Sequence, residues 1–190
     1  MGAVESLWAL LGLKRKNSRG RGNVPAGVRP ETDSVRKIVD ALEHMNPVEA
    51  RFLAAFAYLM CRVADADRGA SEEEARVIGN ILREKGGLSS EQAALVAEIA
   101  RNQTALFGST ENFLVGREFD KIASRDQKIA LMHCLYAVSA ADKSITSTED
   151  HEIRKIAREI KVSHEEYIAV RLAYRDHLEV LKKMPGAKKP

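Results

Sequence analysis

The chain has 190 residues and a formal charge of +3, from 30 Lys/Arg against 27 Asp/Glu, which is length enough for one domain with a real core. Hydrophobic residues make up 45% and aromatics 5%; that composition excludes the disordered and fibrous classes, and no apolar run reaches the ~18 residues of a spanning helix. The charge is uneven: residues 14–29 carry six Lys/Arg and no acid, whereas residues 30–181 hold 20 Lys/Arg against 26 Asp/Glu, a net −6.

Residues 1–13 hold Val4, Leu7, Trp8, Leu10, Leu11 and Leu13 in a short amphipathic helix-forming segment. Lys14, Arg15 and Lys16 open a basic, Gly/Pro-rich linker over residues 14–31, the composition of a flexible tether. Apolar side chains followed by cations suit an anionic membrane surface. Leu7, Trp8, Leu10, Leu11, Lys14, Arg15 and Lys16 are therefore candidates for membrane or partner docking. The competing reading is a helix folded back onto the domain. Met1-Gly2 with Ser6 also fits the myristoylation pattern. The apolar start precedes its basic cluster, the reverse of secretory order.

The folded body is expected over residues 32–183, with a disordered tail over 184–190. Thr32 or Asp33 can cap a first helix, along which Val35, Ile38, Val39, Leu42 and Met45 keep one helical face. Asn46, Pro47 and Glu49 form a strong start signal for the second. Phe52 to Ala64 is then apolar almost all round, interrupted only by Arg62, as expected of a central helix. Capping-box pairs recur at Ser71/Glu74, Ser89/Gln92, Ser124/Gln127, Thr146/Glu149 and Ser163/Glu166. The stretch around Gly108, Thr110 and Phe113 reads as a loop and a shorter helix, and the last helix is expected to run to about Lys183. No segment shows the alternation of a strand. The fold class is all-α: a compact bundle of about seven to nine helices, built from two pseudo-symmetric helix-loop-helix repeats.

The repeat is visible in the loops. Val63-Ala64-Asp65-Ala66-Asp67-Arg68-Gly69-Ala70-Ser71-Glu72-Glu73-Glu74 is echoed by Val138-Ser139-Ala140-Ala141-Asp142-Lys143-Ser144-Ile145-Thr146-Ser147-Thr148-Glu149. The Asp-to-Glu spacing is seven in both, and the copies lie 75 residues apart. Aligned on a calcium EF-hand loop, the first copy places Val63 where the first Asp ligand belongs and Arg68 where the glycine belongs. The second copy fits less well, with Lys143 at the glycine position, so an orthodox EF-hand is not what these loops encode. Capping explains Ser71, Glu74, Thr146 and Glu149, and Asp67 and Asp142 suit helix ends.

Signatures of di-iron, zinc-protease and phosphate-loop chemistry are missing. The histidines at 44, 133, 151, 164 and 177 are scattered; His133 lies in an apolar run and reads as a core residue, while His151 is the one near the acidic loop. Cys61 and Cys134 read as small core residues in a reducing compartment. Arg19-Gly20-Arg21 raises nucleic acid, but the acidic body and the lack of interleaved aromatics argue against it.

At the two loops the sequence resembles the TerB family, named for tellurite resistance protein B, and its relatives in the N-terminal part of DjlA-type membrane co-chaperones. The family pattern is an apolar helix, Ala-Asp-Gly, an aliphatic residue three positions after the Asp, and Glu at the seventh. Ala66-Asp67, Ala70 and Glu74 match it, as do Ala141-Asp142, Ile145 and Glu149. The resemblance implies an all-α fold, a bacterial cytoplasmic setting and a stress-associated, non-enzymatic module. It also implies a divalent cation (Ca, Mg or Zn) or a protein partner at Asp67, Glu74, Asp142 and Glu149. The family glycine is Arg68 in one copy and Lys143 in the other, which sets a cation beside the carboxylates.

Overall fold

Capping residues set the helix boundaries. The computed structural model describes residues 32–42, 45–67 and 69–182, apart from the side chains of residues 107–109. Thr32 opens α1 (Asp33–Asp40) by accepting from the Val35 N–H at 3.3 Å, and Asn46 opens α2 (Pro47–Ala64) by accepting from Val48 at 2.9 Å. Five reciprocal capping boxes then open α3 (Glu72–Gly86), α4 (Ser90–Ile122), α5 (Arg125–Ser139), α6 (Ser147–Glu159) and α7 (His164–Ala173). Each box satisfies two N–H groups that a helix start leaves without partners, and losing the cap costs about 1 kcal/mol. Gly87 ends α3 in the left-handed region, at φ 64°, where the missing Cβ removes the steric cost.

The result is an all-α bundle of eight α-helices and one 3-10 turn among the described residues, with no strand there. Helix α2 is its axis: every residue from Ala50 to Ala64 is buried. Helices α1, α3, α4, α5 and α6 all pack on it. Cys61 and Cys134 belong to this interior, with Cys61 Sγ lying 3.8 Å from the Ala97 carbonyl.

Two polar ties hold the axis. Arg51 Nε donates to Glu118 Oε1 at 2.7 Å, with both side chains buried, and Glu118 Oε2 accepts from the N–H and hydroxyl of Thr32 at 3.1 Å each. Arg62 donates to Glu152 and to Glu159 at 2.6 Å each, and also to the Asn112 carbonyl at 3.0 Å. The residue that interrupts the apolar run of α2 thus locks it to α4 and α6.

Three expectations are corrected. Helix α4 is continuous for 33 residues, with no loop near Gly108. Val115 and Phe119 are buried there, Tyr58 donates to Asn112 at 2.7 Å, and Glu111 accepts from the Ser34 N–H at 3.1 Å. These tertiary ties override the weak helix propensity of Gly and Thr.

The last helix stops at Ala173 rather than near Lys183. A 3-10 turn (Arg175–His177) and a short α8 (Glu179–Lys182) follow. Between them the backbone pairs with the second loop: Ile145 N–H donates to the His177 carbonyl at 2.8 Å, and Glu179 N–H to the Ile145 carbonyl at 2.9 Å. Buried Leu178 provides the apolar gain that holds this strap down.

His133 is exposed rather than buried in the core, its ring 6.0 Å from that of Tyr174. No helix among the described residues is long and apolar enough to cross a membrane.

Candidate functional site: the acidic cavity between the two loops

The loops following α2 and α5 meet. Asp67, Glu74, Asp142 and Glu149 all line one cavity of about 650 Å³, together with Glu179 of the C-terminal strap. The two glutamates are at the centre of this meeting. Each is third in its helix and reaches back to its own cap: Glu74 Oε2 accepts from the Ser71 N–H at 2.7 Å, and Glu149 Oε2 from the Thr146 N–H at 2.8 Å. Both side chains are consequently held at the first turn of their helices. They are 6% and 4% exposed and in hydrogen-bonding contact with each other.

Two carboxyl groups at that separation cannot both ionise freely. Burial pushes Glu149 up to about 7, against the pull of the Thr146 N–H and hydroxyl, and contact with Glu74 raises it further. Near neutral pH the pair therefore holds a proton that an exposed pair would have lost.

The aspartates play different parts. Asp142 Oδ1 accepts from the Ser144 N–H at 2.9 Å and ends its turn at the cavity rim. Asp67 of the first loop lines the same cavity. Asp65, two residues earlier, is the one that ties that loop to α4: it accepts from the Ala70 N–H at 3.1 Å and from the Thr104 hydroxyl at 2.8 Å. Lys143, at the family's glycine position, has φ 71°. A side chain there costs roughly 1 kcal/mol relative to glycine. Its carbonyl accepts from Lys182 Nζ at 2.6 Å, and it makes no ion pair among the described residues. Arg68 lies outside the described residues.

The donor set can be tested against a metal. Glu74 and Glu149 converge, but among the described residues no three His, Cys, Asp or Glu side chains stand close enough together to hold an ion. A divalent ion with hard oxygen ligands takes six or more of them. In this arrangement the cavity offers two buried oxygens and a polar rim, and any further ligands would be water or backbone. It is a cation-attracting cavity and not a preformed cage.

The docking candidates Leu7, Trp8, Leu10, Leu11, Lys14, Arg15 and Lys16 also lie outside the described residues. Sequence reasoning missed Glu179, which reaches the cavity only because the strap folds back. No local signal announced it, because the 164–183 region has helical composition throughout.

A family model described as "Tellurite resistance protein TerB" matches residues 52–172. Comparison with curated proteins and with solved structures found no match.

Proposed function

Because the chain belongs to the TerB family, we propose that it is a non-enzymatic module whose inter-loop cavity takes a cationic group, supplied by a divalent ion or by a basic side chain of a protein partner. One observation carries this reading: two buried glutamates from the first turns of separate helices meet in one acidic cavity, where burial favours the protonated form of Glu149. A cation entering the cavity displaces that proton, so binding strengthens as pH rises and releases protons. Calorimetry with Ca²⁺, Mg²⁺ and Zn²⁺ in buffers of differing ionisation enthalpy should show tighter binding at pH 8 than at pH 6, with proton release. The same titration with an Arg/Lys-rich peptide tests the protein source. Glu74→Gln with Glu149→Gln should abolish the signal. If neither ions nor peptide bind the wild type at pH 8, the cavity is purely structural.

A second reading rests on the chain's N-terminal sequence. Four apolar residues, Leu7, Trp8, Leu10 and Leu11, precede six Lys/Arg, a combination that supports docking of the module to an anionic membrane. Trp8 is the only tryptophan, so its emission reports this segment alone. Vesicles of phosphatidylglycerol should shift that emission to the blue while phosphatidylcholine vesicles leave it unchanged, and Lys14, Arg15 and Lys16 changed together to Gln should weaken the effect. An emission maximum indifferent to anionic vesicles removes the membrane role.

A further inference from the structure

A second pocket, of about 390 Å³, lies between α6, α7 and the C-terminal strap. Its chemistry is the opposite of the acidic cavity. His151 and Arg154 come to it from α6, and His164 and Arg171 from α7, while Ile168 and Val180 are among its apolar lining. Asp150 is the one carboxylate that lines it, and it is already occupied. Arg171 clamps it with Nη2 at 2.7 Å and Nε at 2.9 Å, and the Tyr136 hydroxyl donates to it at 2.9 Å. The Tyr167 hydroxyl approaches the same oxygen at 3.5 Å. Arg154 has no ion pair among the described residues, and neither do His151 and His164. Three groups that are or can become cationic therefore line one pocket without an ion pair among the described residues, His164 having the exposed Glu165 carboxylate beside it, in a body whose net charge is −6.

We propose that this pocket is a binding site for a small organic anion. Its oxyanion head is held by Arg154, His151 and His164, and its apolar body lies on Ile168 and Val180. The size suits a compact ligand, and the lining has the form of such sites, an apolar surface with a few polar groups that fix orientation. Arginine matches a planar oxyanion with two parallel N–H bonds. The charged and titratable groups facing it from its walls are Asp150, His151 and Arg154 on α6 and His164, Tyr167 and Arg171 on α7. Asp150 and Arg171 cancel as a pair. The strap contributes apolar residues to this wall.

Benzenesulfonate is the probe, because it joins an oxyanion head to a compact apolar ring. Titration of the full chain, followed by the imidazole proton signals in NMR, should show saturable binding that moves the His151 and His164 signals. Inorganic sulfate and uncharged benzyl alcohol should each bind at least about fivefold more weakly, since each lacks one half of the recognition. Arg154→Gln with His164→Gln should remove binding while circular dichroism and melting temperature stay unchanged, as both residues are exposed. No binding at millimolar probe, equal binding of sulfate or benzyl alcohol, or affinity indifferent to the double variant would each overturn the proposal.

Discussion

Changing Glu149 to Gln is expected to stabilise the protein by about 3 kcal/mol at pH 8 and by less than about 1 kcal/mol at pH 5. The folded state holds the Glu149 proton up to about pH 7, against 4.5 for the ordinary side chain. Below about pH 4.5 both folded and unfolded chains are protonated there, and the group contributes nothing to the pH dependence. Between about 4.5 and 7 the folded chain binds more proton than the unfolded one. Stability therefore falls as pH rises, by at most about 1.4 kcal/mol per unit. Above about 7 the whole penalty is present. Glutamine keeps the cap by accepting from Thr146, and its amide donates to Glu74 without needing a proton. Urea melts of both proteins at pH 5 and pH 8 give the comparison. A stability difference of the same size at both values would show that the carboxyl pair does not share its proton as described.

Arg62→Met should cost about 3–5 kcal/mol. The substitution keeps most of the buried volume but takes the shared arginine from Glu152 and Glu159, which are 14% and 12% exposed, leaving Glu152 with Lys155 alone at 3.0 Å. The loss comes from those abandoned carboxylates more than from the missing contact. Adding Glu159→Gln to Arg62→Met should therefore recover a substantial part of it, which an additive pair of changes would not do. A loss below about 1 kcal/mol for Arg62→Met would mean that water reaches the pair and already screens it. The same change should loosen α6, whose first turn carries Glu149, so cation binding at the cavity should weaken in parallel.

Local chemistry was the legible part of this molecule. Ser71, Ser89, Ser124, Thr146 and Ser163 announce their helices because a cap and its partner three residues on lie within one turn. The two loop motifs were visible for the same reason, and the repeat pointed to Glu74 and Glu149. Their meeting is tertiary, and so is its consequence, a proton retained between them. Arg62 was legible only as an interruption in an apolar run; its partners Glu152 and Glu159 lie 90 and 97 residues away. Around Gly108 local propensity pointed away from the helix that tertiary packing enforces. The strap was hidden because the 164–183 region has helical composition throughout, and only Leu178 settling beside Ile145 breaks it. The anion pocket needed that strap as its wall, so His151, His164 and Arg154 looked unrelated along the chain.

The burial of the two thiols has a consequence for reactivity. Sulfur attacks electrophiles, metals and oxidising oxyanions as thiolate, not as thiol. Burial pushes Cys134 up to about 11, and pushes Cys61 further still with the help of the nearby Asp65 carboxylate. At neutral pH each is held almost wholly as the unreactive thiol behind close-packed side chains. These are the chain's two cysteines, so it carries no ready nucleophilic sulfur of its own. A thiol-reactive oxyanion such as tellurite therefore meets no ready thiolate on this bundle at neutral pH.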